Sequence, residues 1–400
     1  MPATQLVTDA QTLLPELQKI RRDLHQIPEF GLTLPQTLAY VVEQVKDLGE
    51  LRVEADISCA TVLIRGAKPG PTVLLRADMD ALRVHEDTGL PYASTNGYMH
   101  ACGHDLHMAL GIGAAKLLHA RREELAGNVL MFFQSGEEGH GGADLMLERD
   151  MHLASGELPV GAYGIHVFSG WGIRKGIFAS RPGPLMASAG DVIVKFTGKG
   201  GHGSSPWLSK DPVSVLTQAI SAIPTMITKR FSTFDPVIVN VGWIRAGETD
   251  TTNVVPETAS FGATIRTFSH ENFEAIRRQL KALMEAEAAP AGIDVEVSFG
   301  PASQVVVNHP DAIDRAAKVI EEQFGENRYL TAPHPMTGGE DFASIIKAIP
   351  GAFIFLGACP DDLDPNTAPV NHSNKAVFDD SVLAEGAVLL AGLALEHLAS

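Results

Sequence analysis

The sequence predicts an α/β protein in which a domain with a mostly parallel sheet is interrupted by a second, inserted domain. Four apolar runs are continuous rather than alternating, which is typical of parallel strands that are covered on both faces. Helical stretches separate these runs along the chain, as the connections of a parallel sheet require. The middle of the chain has a different order of strands and helices, and 400 residues favour two domains over one core.

The predicted first domain takes its strands from both sides of the insertion. A helix is predicted from Leu34 to Leu48, where apolar residues have helical spacing and Gly49 ends the pattern. A second helix is predicted over about 104–118, between the first two strands. The four predicted strands are 72–78, 128–134, 162–168 and 352–358. Since the last of them follows the insertion, we expect the chain to return to the first sheet.

The predicted inserted domain begins with a strand over 191–197 and a helix over 211–223. Asp211 is the expected N-cap of this helix and Pro212 its first residue, whereas Pro224 is expected to kink or end it. The remaining predicted elements are strands 236–244 and 259–268, helix 271–286 and strand 293–299. The order is β-α-β-β-α-β, as in ferredoxin-like domains. The expected domains are therefore 1–186 with 303–400, and 187–302.

Composition excludes several classes of function. The formal net charge is −17, and a nucleic-acid-binding protein needs basic patches instead. The sequence has no uninterrupted apolar run of about 18 residues, so we expect no membrane span. Three cysteines without paired spacing do not predict a disulfide framework. The N-terminal segment lacks the pattern of a signal peptide, so the cytoplasm is the expected location.

Polar clusters follow the predicted strands of the first domain or lie in neighbouring loops. They are 76–82, 100–107, 135–142 and the single residue His166. In open α/β sheets, ligand sites form beyond the carboxyl ends of the strands. We therefore expect these clusters to converge in one crevice.

Cys102 and His104 are candidate metal ligands, because a thiolate and an imidazole two residues apart can bind one metal or two adjacent metals. Taken alone, the pair is more often a buried cysteine beside a histidine that caps a helix. The flanking His100, Asp105 and His107 favour the metal interpretation, since so many ligand-type side chains are hard to explain as core.

The adjacent acids Glu137 and Glu138 follow an apolar run and would ordinarily be a solvated strand end. The glycines around them leave the turn unshielded and allow a ligand to approach the backbone. One acid can then bind a metal while the other faces the attacking water.

Three histidines are ambiguous when each is taken alone. His166 lies in an apolar strand, where a histidine is more often a satisfied core residue than a ligand. His372 follows a proline-containing loop and is ordinarily a surface residue. His202, in the glycine- and serine-rich segment 198–206, is either incidental in a flexible turn or a donor that reaches a substrate from a lid.

Eight motifs stand in a fixed order along the chain: RADMDAL, MHACGHDLH, QSGEE, GIHV, GKGGHGSSP, TTNVVPE, GGEDFA and VNHSNKAVFDD. Together they resemble the metal-dependent aminoacylase and carboxypeptidase family, and within it the hippurate hydrolase and auxin-conjugate amidohydrolase branch. The similarity runs from the segment 21–31 to about residue 392, nearly the whole chain.

The resemblance implies a zinc-peptidase-like catalytic domain with an inserted lid that commonly dimerises, and hence a homodimer. It implies that Glu137 is the general base and that His202 meets the substrate, often from the partner subunit. The metal ligands that it implies are Cys102, His104, Glu138, His166 and His372.

Other residues receive weaker roles from the same resemblance. Asn253 and Arg266 match lid positions that hold polar groups of the substrate, and Arg266 or the backbone amides around Gly338 and Gly339 are expected to hold its carboxylate. Peptidase members have a ligand histidine where this chain has Asp78, so we leave Asp78 out of the ligands. Asp80 is expected to orient metal ligands by hydrogen bonds without binding the metal itself.

The function implied is hydrolysis of N-acyl amino acids with two divalent cations, of Zn, Mn, Co or Ni. Three alternatives remain open: a dipeptidase, carboxypeptidase or deacetylase of an amino-acid precursor in the same family; a metal-dependent binding protein without turnover; and a redox enzyme that uses Cys102. The retained Glu137 argues against pure binding, and the lack of a second cysteine near Cys102 in the sequence argues against redox chemistry.

Overall fold

The computed structural model describes residues 4–399 of the chain. These residues divide into two compact units. The first comprises the described residues up to Leu185, together with Val306–His334 and the residues from Asp341 onward. The second comprises Met186–Val305 and Pro335–Glu340. The division expected from the sequence assigns 335–340 to the first domain, whereas here this segment joins the second unit.

The strands of the described chain fall into the sheets of these two units. In chain order they are β1 (Glu50–Glu54), β2 (Cys59–Arg65), β3 (Lys68–Asp78), β4 (Ala126–Gln134), β5 (Gly161–Phe168), β6 (Phe178–Ser180), β7 (Gly183–Met186), β8 (Ser188–Thr197), β9 (Gly201–His202), β10 (Val237–Ala246), β11 (Val254–Val255), β12 (Thr258–Thr267), β13 (Asp294–Ser303), β14 (Val306–Asn308), β15 (Tyr329–Thr331) and β16 (Gly351–Gly357).

The α-helices follow the alternation that the sequence predicts, with several additions. In chain order they are α1 (Gln5–His25), α2 (Pro35–Val45), α3 (His104–Ala120), α4 (Gly142–Glu148), α5 (Pro212–Arg230), α6 (His270–Ala288), α7 (Pro310–Phe324), α8 (Phe342–Ala348) and α9 (Leu383–Ala399).

The main sheet of the first unit has the order β1-β2-β4-β3-β5-β16-β6-β15. Its centre is parallel, because β4, β3, β5 and β16 run in one direction. The strands β1 and β2 are antiparallel to their neighbours, as is the pair β16 and β6. The predicted mostly parallel α/β sheet is thus confirmed, and the four continuous apolar runs form its buried centre.

The C-terminal helix α9 is a core element of the first unit. The segment Asp380–Ala399 is long and apolar enough to cross a membrane by length and composition, yet 72% of its most apolar window is buried inside the protein. It packs against α1, α3 and α7. Its apolar surface is therefore already covered by protein.

The second unit has a four-stranded antiparallel sheet of order β10-β12-β8-β13, against which α5 and α6 pack. This confirms the predicted β-α-β-β-α-β order. The sequence predicts that Pro224 kinks or ends this helix; an end at residue 223 is wrong, because α5 continues to Arg230. Ile223 is buried on one side of the proline and Ile227 packs partly buried on the other, so burial of this face outweighs the lost backbone hydrogen bond.

Candidate metal centre

The carboxyl ends of parallel strands bring the predicted ligands of the first unit together. Glu137 and Glu138 lie in the turn after β4, and His166 lies near the end of β5. Cys102 precedes α3, and His104 is the first residue of that helix. His372 lies in the long loop after β16. Because β3, β4 and β5 are mutually parallel, the loops at their ends share one edge of the sheet.

The turn that presents Cys102 and His104 depends on the glycine between them. Gly103 has a φ of +89°, which side chains other than glycine rarely adopt. A Cβ at this position would also lie 2.4 Å from Val167 Cγ2. The backbone can therefore pass tightly over β5 and still direct its two flanking side chains to the same place.

The thiol of Cys102 lies between two imidazoles. Its Sγ is 3.3 Å from His166 Nε2 and 3.2 Å from His372 Nε2. The same His372 nitrogen is 3.2 Å from Glu138 Oε1. Cys102 and His166 are each only 6% exposed. Four of the five predicted ligands thus meet within a few ångströms, although they are separated by up to 270 residues in sequence.

His104 supplies the fifth predicted ligand atom. Its Nδ1 is 2.8 Å from the carbonyl oxygen of Asp80, so this nitrogen carries the proton and donates it. Its Nε2 is buried and makes no hydrogen bond within residues 4–399. A buried imidazole nitrogen without a hydrogen-bond partner is costly unless a proton or a cation occupies its lone pair.

The donor atoms form overlapping groups in which every atom lies within 4.8 Å of the others. Three of these groups contain only predicted ligands and Glu137: Cys102, His104 and His166; Cys102, Glu138 and His372; and His104, Glu137 and Glu138. Cys102, His104 and Glu138 each belong to two of these three groups, so the groups share donor atoms. A further group joins His104 to Asp78 and His107. Mixed sulfur, nitrogen and carboxylate donors suit Zn and its neighbours among the transition metals. The donor set therefore fits a pair of divalent cations.

The electrostatics of the cluster favour positive charge. Hydrogen bonds to Cys102 and Glu138 raise the pKa of His372 to about 10. Burial lowers the pKa of His104, but the negative charge of Asp78 and the contact with Asp80 outweigh it and place this pKa well above its ordinary value. By contrast, burial holds the pKa of His166 well below its ordinary value. Without a cation, protons on His372 and His104 neutralise a site that is rich in anionic groups.

Asp80 connects three of the candidate residues. Its Oδ1 accepts from the backbone N–H of Glu137 and its Oδ2 from that of Glu138, each at 3.0 Å. Its backbone carbonyl accepts a hydrogen bond from His104 Nδ1–H. The carboxylate thus orders the turn that carries both glutamates, and the carbonyl fixes the imidazole tautomer.

Asp78, at the position where the resemblance implies a ligand histidine in peptidase members, contacts His107 and Arg76. Its Oδ1 is 2.5 Å from His107 Nδ1, and its Oδ2 is 2.5 Å from Arg76 Nη1. His107 Nε2 in turn accepts from the backbone N–H of Val167 at 2.9 Å, so both nitrogens of His107 are used. The positive charge of Arg76 outweighs burial and holds the pKa of Asp78 well below its ordinary range.

A buried polar network behind the cluster was missed from the sequence. Arg76 Nη2 donates to Asp341 Oδ1 at 3.0 Å, and Gln134 Nε2 and the backbone N–H of Ala143 also donate to this carboxylate. Burial raises the pKa of Asp341 to about 6. The signal in the sequence was the polar residues within RADMDAL, QSGEE and GGEDFA, but nothing in their spacing indicates that they pair with one another.

Two of the candidate residues in the second unit lie together on an exposed two-stranded ribbon. His202 in β9 pairs with Val254 in β11, and the carbonyl of Asn253 accepts from the N–H of Gly203 at 2.7 Å. His202 Nδ1 accepts from the N–H of Ser204 at 3.2 Å. In the neutral ring the proton is therefore on Nε2, which makes this nitrogen a hydrogen-bond donor.

The other candidates of the second unit meet at the end of its main sheet. Arg266 Nε donates to the carbonyl of Thr337 at 3.2 Å, directly before Gly338. Its Nη1 donates to Thr264 Oγ1 at 2.6 Å. A Cβ on Gly339 would lie 2.4 Å from the Cβ of Ala189, so this segment packs closely on β8. Arg266, Gly338 and Gly339 thus form one local group.

Comparison with known proteins gives a family match and close relatives. The model of the peptidase family M20/M25/M40 matches residues 74–396. An N-acetyldiaminopimelate deacetylase of Listeria innocua is 37% identical over 350 residues, which are 86% of this chain and 91% of that protein. Thermostable carboxypeptidase 1 of Saccharolobus solfataricus is 32% identical over 399 residues, which are 98% of each chain. A solved Bacillus subtilis structure, a dinuclear metal-binding peptidase from the M20 family, has a TM-score of 0.81 and 28% identity, and covers 97% of this chain and 99% of that one.

Proposed function

Because the chain belongs to the peptidase family M20/M25/M40, we propose that it is a dinuclear-metal amidohydrolase that cleaves the amide bond of N-acyl amino acids. The family resemblance drawn from the motifs is confirmed, and hydrolysis of amides is the activity of the family. The observation that carries the finer proposal is the position of the Cys102 thiol between His166 and His372, beside the adjacent acids Glu137 and Glu138.

The residues that would hold the cations are Cys102, His104, Glu138, His166 and His372. Bound divalent cations polarise a carbonyl oxygen and lower the pKa of water. The protein's part is to present unprotonated donors in fixed directions. The carbonyl of Asp80 does this for His104, and the carbonyl of Val167, 2.9 Å from His166 Nδ1, does it for His166.

Glu137 is our proposed general base. Its Oε2 is 3.9 Å from His104 Nε2, so its carboxylate lies beside the donor cluster, and its side chain is 8% exposed. The backbone N–H of Glu137 donates to the carboxylate of Asp80, and this hydrogen bond fixes the position of the Glu137 backbone. We infer that Glu137 takes a proton from the attacking water and later delivers it to the leaving nitrogen.

The second unit supplies our proposed contacts to the substrate. His202 Nε2–H would donate to the oxygen that becomes negative when the amide carbon is attacked. The guanidinium of Arg266, or the backbone N–H groups of Gly338 and Gly339, would bind the substrate carboxylate, and Asn253 would hold a further polar group. Support comes from the family motifs and from the local geometry, in which His202 is adjacent to Asn253 and Arg266 is adjacent to Gly338.

The acyl group and the amino acid are open within this proposal. One relative is a deacetylase of N-acetyldiaminopimelate and another is a carboxypeptidase. Removal of a small acyl group from an amino acid is therefore a strong alternative to hydrolysis of aromatic, hippurate-like substrates, and peptide cleavage is the second. A binding protein without turnover would have no use for a carboxylate placed like that of Glu137.

We also propose a homodimer formed through the second unit. Its strand β10 lies at the edge of the sheet and exposes Ile238, Trp243 and Ile244. An exposed apolar edge strand is avoided in monomers because it pairs readily with another chain. The cysteines of the described chain, Cys59, Cys102 and Cys359, are free and buried, which suits the reducing cytoplasm.

The test is a hydrolysis screen of the purified protein reconstituted with Zn, Mn, Co or Ni. The panel contains N-acetyl, N-benzoyl and indoleacetyl amino acids, N-acetyldiaminopimelate and free dipeptides, with products identified by mass spectrometry. We expect turnover of at least one class of N-acyl amino acid that a chelator abolishes. Turnover of dipeptides alone would favour the peptidase alternative, and binding of these compounds without hydrolysis over many hours would contradict the proposal.

A further inference from the structure

We propose that Asn371 is a positioning residue that joins three ligand-carrying segments of the metal centre into one unit. The inference rests on the proposed function, because it concerns the segments that carry Cys102, His166 and His372. Asn371 itself is not a candidate ligand. Its amide lies behind the donor cluster and contacts the backbone on which the ligands are mounted.

The side-chain amide of Asn371 donates and accepts hydrogen bonds with backbone groups that are distant in sequence. Its Nδ2 donates to the carbonyl of Cys102 at 3.1 Å and to the carbonyl of Val167 at 2.9 Å. Its Oδ1 accepts from the backbone N–H of Ser169 at 3.1 Å and lies 3.2 Å from Ser169 Oγ. One side chain thus connects the loop before α3, the end of β5 and the loop that carries His372.

The carbonyl oxygen of Val167, which accepts a hydrogen bond from Asn371, also orients His166. The carbonyl of Val167 is 2.9 Å from His166 Nδ1, and this contact keeps the proton on Nδ1 and leaves Nε2 to face Cys102. The backbone N–H of Val167 itself donates to His107 Nε2 at 2.9 Å. Asn371 therefore shares the acceptor that sets the tautomer and the ring direction of a proposed ligand.

The neighbour of Asn371 in the chain has an unusual backbone conformation. His372 has a φ of +70°, in the left-handed region that few residues other than glycine adopt. Its N–H donates to the carbonyl of Ala101 at 2.9 Å. With Asn371 held by Cys102 and His372 held by Ala101, the two segments are joined at consecutive residues. This double anchorage accounts for a left-handed histidine in a loop without regular secondary structure.

The chemistry requires an asparagine at this position. Two carbonyl oxygens need donors and one backbone N–H needs an acceptor, and a planar amide of this length supplies all three. An aspartate would place a carboxylate against two carbonyl oxygens, and an alanine would leave all three groups without this partner. Loss of such outer contacts typically weakens metal binding or activity by about 10–100-fold.

The experiment compares Asn371→Ala with Asn374→Ala, a matched control three residues further along whose side chain is exposed. Zn and Co affinities of both variants and of the wild type are measured by competition with a chromophoric chelator. The visible spectrum of the Co-loaded protein reports the thiolate ligand, and kcat and KM are measured at saturating metal. We expect Asn371→Ala to bind metal about 10–100-fold more weakly and to have a changed Co spectrum, with the control like the wild type.

Equal affinity and an identical Co spectrum in Asn371→Ala and Asn374→Ala would overturn the inference. If Asn371→Ala does not fold, as judged by circular dichroism, Asn371→Asp keeps the shape and the acceptor and is compared with Asn374→Asp, which adds the same charge nearby. Weaker metal binding by Asn371→Asp supports the inference, and equal or tighter binding overturns it. Failure of the proposed function is separate, since the wild type itself would then not hydrolyse the panel.

Discussion

The metal centre of the first unit and the candidate substrate contacts of the second unit are built in different ways. At the metal centre, Cys102, His104 and His166 are buried, and supporting contacts come from distant segments, as those of Asp80 to Glu137 and Glu138 do. In the second unit, His202 and Asn253 lie exposed on a two-stranded ribbon with partners close in sequence or on the neighbouring strand. The first region is held by contacts between distant segments, whereas the second is exposed and held by local contacts. Variants in the two regions should therefore change different measured quantities.

The largest effect is expected for Glu137→Gln, which removes the proposed base and keeps its size. General-base catalysis contributes about 10²–10⁴-fold, so we expect kcat to fall by that factor. Metal content, measured by elemental analysis, should remain that of the wild type because Glu137 is not among the proposed ligands. Glu123→Gln, at an exposed position, is the control. Near-normal turnover of Glu137→Gln would remove Glu137 from this role.

His202→Ala tests the other side of the comparison. Loss of one donor to a developing oxyanion typically costs about 10²–10³-fold in kcat, and we expect this loss with unchanged metal affinity and unchanged thermal stability. Ser204→Ala, which removes only a hydroxyl beside His202 Nδ1, should have a much smaller effect. Weaker metal binding by His202→Ala would contradict the separation of roles between the two regions.

Asp80→Asn should cause an intermediate loss at the metal centre. In the wild type, each carboxylate oxygen of Asp80 accepts from one backbone N–H, of Glu137 or of Glu138. The amide of asparagine has one oxygen that can accept from one of these N–H groups, but its NH₂ then faces the second N–H and cannot accept from it. The turn therefore loses one of its two contacts. We expect about a 10–100-fold decrease in kcat, the range found for outer partners of metal sites, with a smaller change in KM. Steady-state kinetics at saturating metal measures both. A change in KM alone would show that Asp80 orders the substrate site instead.

The parts that the sequence predicted are those with a local signal. The central strands were identifiable because they are buried on both faces and their apolar runs are continuous. By contrast, the prediction lacked α9, because a helix that is buried nearly all round has little contrast between its faces. It also ended α5 at Pro224, since a local rule cannot weigh the packing on the far side of the proline.

The candidate site shows the same limit. Cys102, His104, Glu137 and Glu138 lie in short clusters of metal-binding residue types, whereas His166 and His372 are proposed as ligands only through the family resemblance. The pairing of Arg76 with Asp341 spans 265 positions, and that of Asn371 with Cys102 spans 269, so no spacing rule connects these residues. The supporting contacts are a property of the folded sheet edge, where loops that are distant in sequence meet.

The smallest effect, and the most specific to the metal centre, is the pH dependence of metal affinity. The pKa of His372 is raised to about 10 by Cys102 and Glu138, so in the metal-free protein this imidazole carries a proton at pH 7. A cation must displace that proton, and affinity should therefore rise by up to about tenfold per pH unit from this residue between pH 7 and 9. Glu138 adds no slope there, since its pKa is lowered from an ordinary value that is already acidic.

The variant His372→Gln isolates this contribution, because its side chain does not titrate. The logarithm of the Zn association constant is measured by chelator competition from pH 7 to 9. It should rise less steeply with pH in the variant than in the wild type, and the two slopes should differ by about one logarithmic unit per pH unit. His202→Gln is the matched control in the exposed region and should keep the wild-type slope. Equal slopes in His372→Gln and the wild type would mean that His372 takes no cation, and the buried cluster would then lose its only ligand from the loop after β16.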